Sequence, residues 1–226
     1  MNTLYEIGIY HHNREGQSKL ESVLKELRPD LILIEGSPSI YEEKRIYMEF
    51  LRIHLNRLKG KSRRRSLINI LSLDKYEYKV VEKFCSENSC EFNYLNDIEL
   101  STSKKKLELD AIEIINTHNS LTPEQISEGY KEFIRKNDKI LAEARKYIKE
   151  NKERELCSIY ELYGTGEYVL GERDKKMKKT LEMHYEIMKE KVIATVTGFW
   201  HIINDPEQKS FYCITSNLNR KRIFAI

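Results

Sequence analysis

Two histidines in this sequence follow a glycine at the same spacing, and each copy of the motif ends an apolar run. The first copy is Gly8-Ile9-Tyr10-His11 and the second is Gly198-Phe199-Trp200-His201. Because the chain holds only 9 glycines and 6 histidines, random placement predicts fewer than one copy. Glycine lets the backbone turn sharply where a strand ends, and a histidine three residues later can project into a crevice. The motifs therefore predict two imidazoles at matching strand ends.

A glutamate follows a third apolar run, Leu31 to Ile34, and completes a set of metal ligands. Two imidazoles and one carboxylate bind a divalent ion and leave coordination positions open for water. A metal-bound water is acidic enough to attack a carbonyl or an ester near neutral pH. We therefore predict His11, Glu35 and His201 as metal ligands, with Glu35 as the general base in an alternative assignment. Unrelated polar residues at a solvated sheet edge are the plainer explanation.

Arg173 is the candidate for electrostatic catalysis. Its spacing of four from Met177 places it on the inward face of a predicted helix. A cation in the first turn opposes the helix macrodipole, so this position needs another reason. One reason is to hold a substrate carboxylate or a developing oxyanion, and the other is a salt bridge to Glu35 or a nearby acid. In both cases the guanidinium should point into the crevice near Glu35 and both motif histidines.

Three neighbours of the motif histidines are predicted, with Arg173, to bind substrate. They are Tyr10, His12 and Trp200. Aromatic side chains at these positions could form the walls of a cleft, and ordinary core packing explains Tyr10 and Trp200 equally well.

The elements that position these residues are predicted from hydrophobic patterns. Strand, helix and strand follow one another from Leu4 to Ile34, which is typical of a βαβ unit. The uninterrupted run Leu31–Ile34 suits a buried parallel strand. Further strands are predicted at 91–95 and 192–197, and a closing hairpin at 210–216 and 222–226. In open parallel sheets, ligands bind beyond the carboxyl ends of the strands, where the motif residues should lie.

The predicted fold class is α/β, with a central parallel or mixed sheet formed by both chain ends and a long, mostly helical insertion. A length of 226 residues favours one domain over 1–226. Residues 103–190 are predicted to form a helical lobe over the strand ends, where it would close the cleft and exclude water. Within it, Thr122, Pro123 and Gln125 predict a capped helix start.

Composition argues against several classes of partner. With 39 basic and 36 acidic side chains the net charge is +3, which gives no strong case for nucleic acid or an anionic membrane. The basic run Lys61–Arg65 is expected in a solvated loop between helices. No apolar run approaches the roughly 20 residues of a membrane helix, and no leader peptide is visible, so a cytoplasmic protein is predicted. The four cysteines lack zinc spacing and predict buried thiols, with a Cys85–Cys90 disulfide as the alternative.

Three blocks of the sequence resemble the TraB, PrgY and Tiki superfamily. The first runs from Gly8 to Glu35 and includes the serine-bearing helix of Ser18. The second, Gly171-Glu172-Arg173-Asp174-x-x-Met177, resembles the family's Glu-Arg-Asp-x-x-Met segment, and the third is Val192 to His201. The order of the blocks also matches, while residues 41–165 carry no motif.

The resemblance implies a fold similar to erythromycin esterase and ChaN-like proteins. Tiki members are described as metal-dependent proteases that use both Gly-x-x-His motifs and an acidic residue. TraB and PrgY members are linked to peptide-pheromone shutdown and are membrane-associated. This chain differs in lacking their hydrophobic C-terminal spans, in having Ile9 where threonine is common, and in having His12 directly after the motif.

The leading hypothesis is therefore a metalloprotease-like hydrolase of peptide or ester bonds. Its cofactor would be a divalent metal ion and its partner a peptide or small-molecule substrate. A non-catalytic module that captures a peptide or small ligand in the same crevice is the alternative. A nucleic-acid-associated protein that uses Arg63–Arg65 is a third hypothesis, supported only by the charge of that run.

Overall fold

Five parallel strands form the centre of the fold, in the order β3-β2-β4-β1-β5. The structure is a computed structural model that describes residues 2–13, 15–72, 76–96, 102–156, 171–205 and 207–226, except for the side chains of 62, 66 and 69–72. The strands are β1 (Thr3–Ile9), β2 (Leu31–Ile34), β3 (Glu91–Tyr94), β4 (Val192–Gly198) and β5 (Arg220–Ala225). The helices are α1 (Gly16–Leu27), α2 (Pro38–His54), α3 (Lys61–Ser72), α4 (Glu77–Glu87), α5 (Lys104–Ser120), α6 (Pro123–Lys149), α7 (Glu172–Ile187) and α8 (Phe211–Ile214).

The predicted fold class is confirmed, because strands from both chain ends meet in one sheet and the described middle of the chain is largely helical. Strand β1 lies between β4 and β5, and β2 lies between β3 and β4. Residues 4–9 and 192–197 are adjacent, as a crevice shared by both motif histidines requires, and they are paired in parallel from Leu4 opposite Ile193 to Ile9 opposite Gly198. Both Gly-x-x-His segments therefore leave the sheet at the same edge.

Helix α7 packs on one face of this sheet through the apolar stripe predicted from its sequence. Met177 and Leu181 are fully buried there against strand residues such as Leu33. Full burial of a side chain of this size stabilises the fold by about 1.5–3 kcal/mol. The cluster consists of Leu4, Leu31, Leu33, Leu95, Met177, Leu181, Ile193 and Phe211. This packing sets the position of the first turn of α7, which carries Arg173.

The chain divides into two compact units. The first comprises 1–35, 75–96 and 137–226 and contains the sheet; the second comprises 36–74 and 97–136. The core of the second unit is formed by Leu51, Leu58, Leu67, Ala111 and Ile115. Residues 103–136 of the predicted lobe thus belong to the second unit, and the described residues from 137 to 190 belong to the first. The position of the lobe over the strand ends stays a prediction, as does a single domain over 1–226.

The helix start predicted at Thr122 is confirmed in the second unit. Helix α6 begins at Pro123, and the Gln125 backbone N–H donates to Thr122 Oγ1 at 3.2 Å. In return, the Thr122 N–H donates to Gln125 Oε1 at 2.8 Å. This reciprocal pair satisfies two backbone donors that the helix leaves free.

The hairpin predicted near the chain end is wrong. Residues Phe211–Ile214 form the short helix α8, and β5 pairs in parallel with β1. The Ser210 hydroxyl accepts from Cys213 N–H at 3.2 Å and so caps the helix. A four-residue apolar run cannot be assigned to strand or helix from periodicity. The cap that Ser210 provides favours the helix.

The basic run Lys61–Arg65 lies in the first turns of α3, so its expected position in a loop is wrong. The guanidinium of Arg63 donates to Leu121 O at 2.6 Å, and that of Arg64 donates to Leu58 O at 3.3 Å. The Leu121 carbonyl lies just beyond the end of α5, where a cationic donor is favourable. Two of the arginines therefore have partners within their own unit, which weakens the nucleic-acid hypothesis.

The thiols of Cys85, Cys90 and Cys213 are free and half-buried, and Cys157 lies outside the described residues. The alternative Cys85–Cys90 disulfide is therefore not formed. In the part of the chain that the structure describes, no helix combines the length and apolar character needed to cross a membrane.

Candidate active site

His201 lies in a short 3-10 helix, Phe199–Ile202, that directly follows β4. The residue is buried, with both ring nitrogens facing carboxylates. Nδ1 lies 2.9 Å from Asp174 Oδ1, and Nε2 lies 3.5 Å from Glu35 Oε1. Burial alone would lower the pKa of His201, but the charge of Glu35 and the contact with Asp174 outweigh it and raise the pKa to about 9. The imidazole is therefore cationic at neutral pH when no metal is bound.

Glu35 follows β2, and its carboxylate contacts Arg173 and the backbone of Gly198 as well as His201. Arg173 Nη2 lies 2.6 Å from Oε1, and the Gly198 backbone N–H donates to Oε2 at 2.6 Å. Burial would raise the pKa of this carboxyl, but His201, Arg173 and His11 outweigh it and hold the pKa well below its ordinary value. Glu35 is therefore an anion that its neighbours stabilise.

The three predicted ligands surround Gly198. A Cβ atom built on this glycine would lie 3.4 Å from Glu35 Oε2 and 3.4 Å from His11 Nε2. The same point lies 3.7 Å from His201 Cδ2. The two imidazoles are therefore far closer than the ~12 Å beyond which one ion with ligand bonds of about 2 Å could not be shared. The structure brings together the side chains that the motifs predicted, and their roles stay predictions.

His11 lies in the turn after β1, and its ring contacts a carboxylate from another element. Its Nδ1 is 3.2 Å from Oε1 of Glu77, the first residue of α4. The Glu77 side chain is 3% exposed, whereas that of His11 is 28% exposed. Glu77 therefore places a buried carboxylate behind the more open of the two histidines.

The first turn of α7 supplies two consecutive residues to the site. Arg173 makes the salt bridge to Glu35, which was one of the two reasons predicted for its position. Asp174 is fully buried and accepts from three donors. They are His201 Nδ1 at 2.9 Å, Phe211 N–H at 2.6 Å and Gly171 N–H at 3.1 Å. Helix α7 thus fixes both Glu35, through Arg173, and His201, through Asp174.

The described contacts of Tyr10 and Trp200 are those of a packed cluster. Both pack against residues that include the buried Phe199, with ring centroids 5.9 Å and 4.2 Å from it, respectively. Tyr10 also donates through its hydroxyl to Asn137 Oδ1, and burial raises the pKa of this phenol to about 12. His12 lies edge-to-face on Tyr10 at 5.9 Å. The contacts of Tyr10 and Trp200 with Phe199 agree with the core-packing alternative, and substrate binding by Tyr10, His12 and Trp200 stays a prediction.

Sequence reasoning missed Glu77 and Asp174 as members of this site. A signal for Asp174 existed, because it is the third residue of the helix after Gly171, where an acidic side chain can cap the backbone. The sequence carries no such signal for Glu77, since an acidic residue in a helical stretch is most often solvated. Its partner lies 66 positions away, at the end of another element.

Two observations bear on whether this donor set fits a metal ion. As the side chains stand, no three described His, Cys, Asp or Glu residues are arranged as ligands of one ion. The donors nevertheless have suitable chemistry, since each Nδ1 faces a carboxylate and both Nε2 atoms lie near Glu35. The 3.5 Å between His201 Nε2 and Glu35 Oε1 is close to the roughly 3.3 Å that separates two tetrahedral ligands with bonds of about 2.0–2.1 Å. The residue types therefore suit a divalent ion, but the side chains would have to move closer together to bind one.

No family model, curated protein or solved structure matches this chain. The likeness to TraB, PrgY and Tiki proteins accordingly stays a prediction from short motifs. The described residues themselves show a parallel α/β fold that brings two imidazoles and a carboxylate together at its strand ends.

Proposed function

We propose that this protein is a metal-dependent hydrolase of peptide or ester bonds, with its divalent ion held by His11, Glu35 and His201. The observation that carries the proposal is the convergence of these three side chains around Gly198 at the carboxyl edge of a parallel sheet. This edge is where open α/β sheets bind their ligands.

The environment of Glu35 favours the role of ligand over that of general base. A general base works best with a pKa near the operating pH, whereas the pKa of Glu35 is held well below its ordinary value. A strongly ionised, nearly buried carboxylate is suited to holding a cation. When bound, that ion would supply an acidified water and polarise the substrate carbonyl.

Arg173 would act through its planar guanidinium. One nitrogen, Nη2, lies 2.6 Å from Glu35, and the side chain is 35% exposed, so part of it remains open to solvent. Five donors in a rigid fork can orient Glu35 and also receive a substrate carboxylate or an oxyanion. The resemblance to Tiki proteins favours a peptide as the substrate, and a small-molecule ester is consistent with the same chemistry.

One observation favours the alternative, a non-catalytic module that captures a peptide or small ligand. Glu35 already has Arg173, His201 and Gly198 N–H as partners. A carboxylate satisfied in this way does not need an ion to be stable in a buried position. In that case the cleft would bind its ligand through Arg173 and the imidazoles.

The metal content of the purified protein separates the two functions. After dialysis against trace divalent ions, we expect close to one ion per chain in the wild type and its loss in His11→Ala and His201→Ala. His184→Ala is the matched control, because His184 lies on α7 with Asn93 as its hydrogen-bond partner. A folded wild type that takes up no zinc, manganese or cobalt would favour the binding module.

A second experiment tests the role of Arg173 with peptide and ester substrates. Arg173→Lys keeps the charge but loses the fork, so we expect activity to fall about 10²–10³-fold, as for loss of an electrostatic donor. A folded Arg173→Ala protein with unchanged activity would show that Arg173 is not catalytic. An Arg173→Ala protein that does not fold would instead assign Arg173 to the structural salt bridge.

A further inference from the structure

We infer that Glu77 is a positioning residue of this site, which sets the orientation and tautomer of His11 and is the counterpart of Asp174, which orients His201. The inference rests on the proposed function where it concerns the metal ion. The pairing of each imidazole with a carboxylate is independent of it.

The helix that carries Glu77 explains why its carboxylate faces the protein interior. Val80, Val81 and Phe84 are buried on α4, and Glu77 precedes them at helical spacing on the same face. A carboxylate on a buried face is costly unless it is paired. An ion-pair contact to His11, whose Nδ1 lies 3.2 Å from Glu77 Oε1, supplies a partner for one of the two carboxylate oxygens.

His201 has the same relation to a different helix. Its Nδ1 faces Asp174, which is fully buried in the first turn of α7. Helices α4 and α7 are separate elements, yet each directs one acidic residue of its first turn at the Nδ1 atom of one motif histidine. Metal-binding histidines commonly place their second nitrogen against a carboxylate. Because the arrangement occurs at both motifs, Glu77 and Asp174 are assigned the same role, which is to position a site histidine.

The chemical consequence concerns which nitrogen carries the proton. A carboxylate beside Nδ1 favours a proton on that atom, which leaves the Nε2 lone pair available to a metal. His11 Nε2 lies on the side of Glu35 and Gly198. Without Glu77, the partly exposed His11 ring would lose the carboxylate beside Nδ1, and with it the preference for a proton on that atom.

Cobalt(II) binding to the full chain, followed by its visible absorption and by competition with a chelator, tests the inference. We expect affinity about 10–100-fold lower in Glu77→Ala than in the wild type. Glu77→Gln should be intermediate, because its amide oxygen can still accept from Nδ1. The matched control is Glu87→Gln, an exposed residue of the same helix, with unchanged affinity. Wild-type affinity in both Glu77 variants would overturn the inference.

A second measurement separates this inference from the proposed function. Two-bond ¹H–¹⁵N spectra of metal-free protein report which nitrogen of His11 is protonated. We expect Nδ1–H in the wild type and a shift to Nε2–H in Glu77→Ala, with His201 unchanged. If the wild type binds no cobalt but the tautomer shifts, the metal proposal fails and the positioning role stands. If the tautomer of His11 is the same in both proteins, the positioning role fails.

Discussion

The two Gly-x-x-His segments share one spacing and leave adjacent strands, yet the fold builds them differently. The second continues from β4 into a 3-10 helix, and its His201 side chain is 11% exposed. The first ends in a turn, and its His11 side chain is 28% exposed. Asp174 accepts hydrogen bonds from two backbone N–H groups as well as from His201. The described contact of Glu77 is the one with His11. One imidazole is anchored in the core and the other lies at its border.

The two glycines differ in a corresponding way. A Cβ atom on Gly8 would lie 2.5 Å from Ile202 Cδ1 and 3.0 Å from Phe199 Cα, so this glycine makes room for the second segment. A Cβ atom on Gly198 would instead project among the predicted ligands at 3.4–3.7 Å. Gly8 thus allows the second motif to pack closely against β1, and Gly198 leaves space between the predicted ligands. A repeated motif need not have the same function in each copy.

The largest expected effect comes from Asp174→Ala. This change leaves a buried imidazole and two buried N–H groups without their acceptor, so we expect a loss of about 3–5 kcal/mol in the free energy of unfolding. Glu77→Ala should cost only about 1–2 kcal/mol, because water can reach the partly exposed His11. Urea denaturation of both variants measures the difference. Equal losses would show that the two histidines are anchored to the same extent.

The pH dependence of stability should report His201 in the metal-free protein. Its pKa rises from 6.5 to about 9 on folding, so the folded state holds its proton more tightly. The stabilisation of the folded state by this proton is complete below pH 6.5 and is lost as the pH rises through 9. It amounts to at most about 3 kcal/mol in the free energy of unfolding. Urea denaturation across that range, with a chelator present, should show the decline in the wild type and in His11→Gln. A decline of the same size in His201→Gln would assign it to another group.

Gly8→Ala should destabilise the protein by about 1–3 kcal/mol through overpacking against Ile202. Thermal unfolding measures this loss. Combination with Ile202→Val should recover part of the stability, because the Ile202 Cδ1 atom that the new methyl group meets is removed. No recovery in the double variant would indicate that the contact with the Phe199 backbone is the dominant one.

The smallest effect on stability is expected for Gly198→Ala. The backbone of this residue, at φ −55° and ψ 137°, is accessible to alanine, and the new contacts have ordinary lengths. We expect a change within about 1 kcal/mol in unfolding experiments. Cobalt binding should nevertheless weaken, since the methyl group would occupy the space between the ligands. Unchanged cobalt affinity would place the ion elsewhere.

Local pattern was enough to predict the parts of this protein that depend on local physics. The strand Leu31–Ile34 follows from its uninterrupted apolar run, and the inward face of α7 follows from the spacing of Met177 and Leu181. The meeting of both motif histidines with Glu35 could also be predicted, because parallel strands in one sheet end at one edge. Once the stripe of α7 faced the sheet, Arg173 had to find an acidic partner there.

Only the tertiary structure decided which carboxylate meets which histidine. Glu77 and His11 are 66 positions apart, and Asp174 and His201 come from different elements, so no local periodicity relates them. The parallel pairing of β5 with β1 depends in the same way on distant contacts. Helix and strand patterns report which face of an element is buried. The partner of a buried charge is determined by the packing of whole elements, since a charge withdrawn from water is stabilised only by the groups that packing brings within reach.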